Sequence, residues 1–137
     1  MSYISAALRE LVTQRAKGCC EYCGYPSLAS FAPHEIDHII AEKHGGITTQ
    51  ENLALACTLC NKHKGSDLTS IDPLTQKIEP LFQPRQDNWN EHFRLEGAVI
   101  QPLTAKGRVT AKLLQFNLPA RVQERQLLID LGYYMVE

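Results

Sequence analysis

The spacing of apolar side chains predicts one helix near the start of the chain and two towards its end. Residues 4–17 carry a helical stripe of apolar positions that stops at Gly18. The stripe consists of Ile4, Leu8, Leu11, Val12 and Ala16. Residues 103–117 and 120–132 show comparable patterns, and Pro119 stands near a first-turn position ahead of the second of them.

The middle of the chain alternates between short strands and turns. Residues 35–41 contain a short β-branched apolar run, which predicts a strand, and the sequence His44-Gly45-Gly46 predicts a turn after it. The loop that follows leads towards a second short strand or a helix start. Residues 61–69 are expected to begin another helix, which ends near Gly65 or near Asp72-Pro73. Residues 72–102 hold four of the seven prolines and predict an irregular wrap with a strand pair near residues 93–100.

Composition is that of an ordinary globular chain. Of the 137 residues, 44% are hydrophobic and 21% are charged, and the formal net charge is -1. The apolar runs are far shorter than the ~20 residues of a membrane span, and no signal peptide is evident, so we expect a cytoplasmic protein with no membrane partner. A nucleic-acid partner would have to meet a local basic patch. Arg108, Lys112, Arg121 and Arg125 are one candidate patch, on the C-terminal helices.

Four of the five cysteines form two C-x2-C pairs, Cys20 with Cys23 and Cys57 with Cys60. Two thiolates at this spacing can share a tetrahedral zinc ion, and two such pairs fill a four-cysteine site. The two pairs are 33 residues apart, wider than in a simple zinc ribbon, which indicates an insertion between them. The alternative is a chance pair of motifs or buried free thiols.

A closed four-cysteine site has no open position for water or substrate, so we expect one structural Zn²⁺ per chain with no part in the chemistry. Cys19 is left over and is interpreted as a packing residue. The residues that carry chemistry should therefore lie between the two cysteine pairs and just after the second.

The order of motifs in residues 18–66 resembles the HNH endonucleases, a family of zinc-stapled nucleases. The first cysteine pair is followed by Asp37-His38-Ile39, then by two glycines, and then by ENLALACTLCNKHKG. The resemblance implies an α+β fold, with a ββα-metal (His-Me finger) core, a structural four-cysteine zinc site and a helical C-terminal extension. The tail is also similar to one carried by some bacterial HNH proteins.

The resemblance also implies roles for individual residues. Asp37 would bind a catalytic divalent ion, and His38 would be the general base that takes a proton from the attacking water, a task that suits an imidazole. Asn52 would hydrogen-bond within its loop and hold the histidine-bearing strand in place. Consecutive strand residues point to opposite faces, so Asp37 and His38 cannot both face one phosphate from an ideal strand. The resemblance implies a strained hairpin with the metal ion beneath it, which allows both residues to act.

The third position of the motif departs from the family, because Asn61 follows the last cysteine where many members carry histidine. An amide oxygen is a hard donor, so Asn61 with Asp37 should favour Mg²⁺ or Mn²⁺ over nickel, cobalt or zinc. His63 is the alternative ligand, although on a helix it would lie ~200° around from Asn61. Lys62, Lys64 and His44 are candidates for contacts with nucleic acid.

We therefore expect a metal-dependent DNA endonuclease that nicks as a monomer or weak homodimer. One alternative is a non-catalytic zinc-ribbon-like module that binds nucleic acid or protein, and another is an inactive nuclease-fold scaffold. The expected organisation is an N-terminal helix (1–17), a nuclease core with the cysteine pairs (18–72) and an irregular wrap with C-terminal helices packed on the core (73–137).

Overall fold

The structure is a computed structural model that describes residues 3–134 of the chain. Residues 1–2 and 135–137, the two ends of the predicted first and third segments, lie outside the described residues. The helices are α1 (Ala6–Arg15), α2 (Thr58–Lys64), α3 (Trp89–His92), α4 (Ala105–Leu113) and α5 (Pro119–Asp130). The strands are β1 (Glu35–His38), β2 (Leu53–Ala56), β3 (Thr69–Ile71), β4 (Ile78–Pro80), β5 (Phe93–Glu96) and β6 (Val99–Pro102).

The six strands form three separate two-stranded antiparallel sheets, in which β1 pairs with β2, β3 with β4 and β5 with β6. In the first sheet, Asp37 of β1 lies opposite Ala54 of β2, and His38 lies opposite Leu53. Helix α2 follows β2 after one residue and contacts β1, which completes a β-β-α unit. The predicted α+β fold with a ββα core and a helical C-terminal extension is confirmed.

Strand β2 separates two clusters of buried side chains. All four of its residues are buried, and alternate residues point to opposite faces. Leu53 and Leu55 pack with Ile4 and Val12 of the N-terminal segment. Ala54 and Ala56 pack in the other cluster, with the four paired cysteines and aromatic residues of the C-terminal part of the chain. The ββα unit is therefore covered on both sides.

Helix α1 begins where predicted, with the Ser5 side chain accepting a hydrogen bond from the Leu8 amide. Its predicted apolar stripe is only partly buried, because Leu11 is 40% exposed. The helix predicted to begin near residue 61 begins earlier, since α2 starts at Thr58 with Cys57 as its N-cap and therefore contains Cys60. It ends at Lys64 with Gly65 as its C-cap, the first of the two predicted stops.

Residues 72–102 contain more regular structure than an irregular wrap. The predicted strand pair near residues 93–100 is β5 with β6, and the sequence pattern missed α3. It also missed the β3–β4 hairpin, which begins just ahead of this segment and is closed by Asp72. The carboxylate of Asp72 accepts hydrogen bonds from Leu74 and Thr75 in the turn and from Arg108 of α4, so the hairpin is tied to the C-terminal helices.

No helix within residues 3–134 is long and apolar enough to cross a membrane.

Candidate active site

The four paired cysteines form one buried cluster. The sulfur atoms of Cys20, Cys23, Cys57 and Cys60 all lie within 4.8 Å of one another. Four thiolates at ~2.3 Å from a tetrahedral zinc ion would be about 3.8 Å apart. The Cys23 and Cys57 sulfur atoms are 3.7 Å apart, so the cluster has the size and the donors that a structural zinc ion requires.

The chain brings the two cysteine pairs together through β2. The backbone of Glu21, inside the first pair, donates to the Leu55 carbonyl at 2.8 Å, and its side chain accepts from the Leu55 amide at 2.8 Å. The second pair begins immediately after β2. In each pair the amide of the second cysteine donates to the sulfur of the first at 3.4 Å, which favours thiolates.

Cys19 stands outside this cluster. Its thiol is half-buried and contacts the Lys17 carbonyl at 3.6 Å. Burial is the main cause of its raised pKa.

Asp37 lies on the face of β1 that meets α2. It is 4% exposed. Its Oδ2 accepts a hydrogen bond from the Tyr22 hydroxyl at 2.7 Å and lies 3.2 Å from the Lys64 ammonium, whereas Oδ1 is 3.4 Å from the same ammonium. Burial raises the pKa of the Asp37 carboxyl, against the opposing effects of Lys64 and Tyr22. The two partners therefore hold the carboxylate in place and leave a lone pair on Oδ1 for a further ligand.

Lys64 is placed differently from the expectation that it contacts nucleic acid. Its side chain is buried, and its ammonium donates to the carbonyls of His38 at 3.4 Å and Ile39 at 3.1 Å as well as to Asp37. A buried and fully paired ammonium fixes the end of β1 to α2. It is not presented to a phosphate.

Asn61 reaches the same face of β1 one helical turn before Lys64. Its Nδ2 donates to Glu35 Oε2 at 3.0 Å, which leaves the amide oxygen unused by that bond. Glu35 and Asp37 are two residues apart on a strand and therefore share a face. Glu35, Asp37 and Asn61 together supply hard oxygen donors of the kind that Mg²⁺ or Mn²⁺ prefers. The sequence analysis missed Glu35, although the i, i+2 spacing before Asp37 could have found it.

His63 turns away from that face. Its Nδ1 lies 3.4 Å from Nε2 of Gln115, in the C-terminal extension. Lys62 and His44 are exposed at the surface. Of the two candidate metal ligands on α2, Asn61 and His63, Asn61 is the one whose side chain contacts a carboxylate of β1.

His38 is half-buried at the end of β1. Its Nε2 lies 2.9 Å from the Thr48 hydroxyl. In the tautomer whose Nε2 donates to Thr48, Nδ1 carries the lone pair that can accept a proton. Thr48 is ten residues away along the chain, and no motif in the sequence marks it.

The loop between His38 and β2 is closed by Asn52. The side-chain oxygen of Asn52, Oδ1, accepts a hydrogen bond from the Ile40 amide at 2.9 Å. The side-chain nitrogen, Nδ2, donates to the backbone carbonyls of Ile40 and Ile47 at 2.9 Å each. Gly46 passes so close that a Cβ atom there would lie 1.7 Å from the Ile40 carbonyl oxygen. A side chain at residue 46 would therefore displace the loop that follows His38.

We predict that Gly46→Ala destabilises the protein by about 1–3 kcal/mol, because a backbone carbonyl cannot move aside as a side chain can. Gly45→Ala is the control, since a Cβ there meets open space and only its positive φ of 91° is strained. Thermal melts in which Gly46→Ala is no more harmful than Gly45→Ala would contradict the steric argument.

The candidate basic patch on the C-terminal helices is wrong for three of its four residues. Arg108 forms an ion pair with the buried Asp72 at 2.9 Å. Arg121 and Arg125 are buried and donate to backbone carbonyls, and only Lys112 is exposed. These arginines stabilise the extension and do not form a positive surface.

The comparisons with known proteins agree with this geometry. Residues 20–67 match the family model for HNH endonuclease. A search of curated proteins found no match. The matched segment spans both cysteine pairs, the β1–β2 hairpin and α2. The chain is thus similar to the HNH endonucleases over residues 20–67, the segment that contains the four clustered cysteines and the ββα unit.

Proposed function

We propose that the protein is a metal-dependent DNA endonuclease that hydrolyses phosphodiester bonds and nicks one strand per active site. The observation that carries the proposal is the ββα unit in which β1 presents Asp37 and His38 while α2 brings Asn61 to the Asp37 face. A zinc-ribbon-like binding module would need the four cysteines but would have no use for this second group of residues.

In this proposal Asp37 and Asn61 would hold the catalytic divalent ion, with Glu35 beside them. Mg²⁺ or Mn²⁺ held there would supply positive charge to stabilise the scissile phosphate and the leaving oxygen. Lys64 and Tyr22 fix the rotamer of Asp37 through the hydrogen bonds described above. Within residues 3–134 the four-cysteine cluster is the one group of three or more Cys, His, Asp or Glu side chains placed to share a metal ion. A catalytic ion beside Glu35 and Asp37 would therefore need the Asn61 amide oxygen as a further ligand.

In this proposal His38 carries out the proton transfer, and the loop that follows it holds His38 in position. His38 accepts a proton from the attacking water, and Thr48 orients the imidazole from its other nitrogen. Asn52 takes no proton. It joins both ends of the loop and so keeps the end of β1 fixed during the reaction. The exposed Lys62 and His44 remain candidates for contacts with the DNA backbone.

A plasmid-nicking assay with a panel of metal ions tests the proposal. We expect nicking that requires Mg²⁺ or Mn²⁺ and disappears with EDTA, because the candidate donors are oxygens. Linear product should appear only after nicked circles accumulate, because one active site cuts one strand. Absence of cleavage with any of these ions, from protein that holds one zinc, would favour the binding module or the inactive scaffold.

The substitution Asn61→His tests whether residue 61, the third position of the motif, is a ligand of the catalytic ion. An imidazole ligand binds nickel, cobalt and zinc better than an amide oxygen does, so the variant should gain cleavage with Ni²⁺ or Co²⁺ relative to Mg²⁺. His63→Asn is the matched control and should leave the metal preference of the parent unchanged. A metal preference that responds to His63 and not to Asn61 would overturn the assignment of Asn61.

A further inference from the structure

Helix α5 buries two arginines on the same side as Leu128, which is unusual because charged side chains normally occupy the exposed face of a surface helix. Arg121 is 7% exposed and Arg125 is 3% exposed. On the outer side of the helix, Leu127 is 59% exposed. A guanidinium is among the groups least often buried without a partner, so both arginines require an explanation.

The two arginines make similar contacts with the backbone. Arg121 Nη1 donates to the carbonyls of Leu114 and Gln115 at 2.7 and 3.0 Å, just beyond the C-terminal end of α4. Arg125 donates to the carbonyl of Ala98 at 2.9 Å and to that of Phe116 at 2.6 and 3.2 Å. Both residues therefore fasten α5 to the rest of the extension.

Only Arg121 also contacts the cysteine cluster. Its Nη2 lies 3.3 Å from the Cys60 sulfur and 3.8 Å from the Cys57 sulfur. The ion pairs with carboxylates seen in residues 3–134 are made by cations other than Arg121. These cations are Lys64, Arg85, Arg94, Lys106 and Arg108.

The charges of the two groups are complementary. A zinc ion with four thiolates carries a net charge of about −2, and burying that charge is costly unless it is hydrogen-bonded or paired. The Cys20 and Cys57 sulfur atoms each accept one backbone N–H bond within their own pair. Arg121 adds a positive charge and side-chain donors on the Cys57 and Cys60 side of the cluster.

We propose that Arg121 is a positioning residue of the zinc site, whose guanidinium stabilises the thiolates of Cys57 and Cys60 and slows the loss of zinc. The C-terminal helix is then part of the metal site, although the matched nuclease segment ends at residue 67. The proposal rests on the four-cysteine zinc site and is independent of whether the protein cleaves DNA.

The test is the rate of zinc transfer from the full chain to a chromophoric chelator. Arg121→Met keeps the length of the side chain but removes its charge and donors, and it should speed zinc loss by about 10- to 100-fold. Arg125→Met is the matched control, because it removes comparable backbone hydrogen bonds four residues away without touching a thiolate. Equal rates of zinc transfer from the two variants, once corrected for their melting temperatures, would show that Arg121 only stabilises the packing of α5 and would overturn the proposal.

Two further variants keep the test decisive if Arg121→Met does not fold. Arg121→Lys retains the charge and should lose zinc more slowly than Arg121→Gln, which retains only neutral donors. In the cobalt-substituted protein, Arg121→Lys should shift the thiolate-to-cobalt absorption band, whereas Arg125→Lys should leave it in place. An unshifted band in Arg121→Lys, or zinc loss from Arg121→Lys as fast as from Arg121→Gln, would overturn the proposal.

Discussion

His38→Ala should lower the rate of DNA nicking by about 10²–10⁴-fold, the range that positioned acid–base groups contribute. His38 is half-buried at the end of β1, with one ring nitrogen on Thr48 and the other free to serve as a base. His38 is not part of the buried cluster that contains the paired cysteines, so zinc content and melting temperature should stay near those of the parent. Nicking of a supercoiled plasmid under single-turnover conditions measures the loss.

Thr48→Val provides a graded companion to this variant. It removes the hydroxyl that orients the imidazole and keeps the shape of the side chain, so it should reduce nicking less than His38→Ala does. His44→Ala removes an exposed histidine of the same loop that is a candidate for a DNA contact, so it should weaken binding but leave the single-turnover rate at saturating protein unchanged. Cleavage by His38→Ala at the parental rate would refute the general-base assignment, and the metal-dependence of any residual cleavage would then point to Asp37 and Asn61.

The parts of the site that the sequence predicted are those whose partners are close along the chain or follow a fixed spacing. The C-x2-C pairs predicted the cysteine cluster because two residues at that spacing approach one ion whatever the rest of the fold does. The run around Asp37 predicted β1 for a similar reason, since β-branched residues favour an extended chain.

The start of α2 could not be predicted in the same way. Its N-cap is Cys57, whose sulfur accepts from the Cys60 amide in the place where Ser, Thr, Asp or Asn usually acts. A cysteine gives no capping signal in a sequence, and the helix was therefore expected three residues too late.

The burial of charged residues was the main feature that the sequence concealed. Lys64, Arg121 and Arg125 are most simply interpreted as exposed, because isolated charges are seldom buried. Lys64 is buried against Asp37, which lies 27 residues earlier in the chain and reaches it only through the β1–α2 contact. Arg121 depends in the same way on the sulfur atoms of Cys57 and Cys60, 64 and 61 residues earlier. Such pairs appear only once the fold is known.

Cys57→Ser should abolish the folded state. The apparent binding free energy of a structural zinc ion in small zinc domains is about 10–16 kcal/mol, and the total stability of a domain is about 5–15 kcal/mol. Losing a thiolate would leave a buried, incomplete site between β2 and α2, in contact with Arg121. Cys20→Ser should have the same effect. Zinc stoichiometry and thermal melting of the purified variants measure it.

Cys19→Ser is the matched control, because Cys19 directly precedes the first ligand pair and lies outside the cluster. A serine hydroxyl can still donate to the Lys17 carbonyl, so the variant should bind one zinc and melt near the parental temperature. If Cys57→Ser instead kept a full zinc complement and the parental melting temperature, the assignment of a four-cysteine zinc site would be wrong. Zinc loss from Cys19→Ser alone would move the first ligand pair to Cys19 and Cys23, a spacing that the 3.4 Å bond from the Cys23 amide to the Cys20 sulfur opposes.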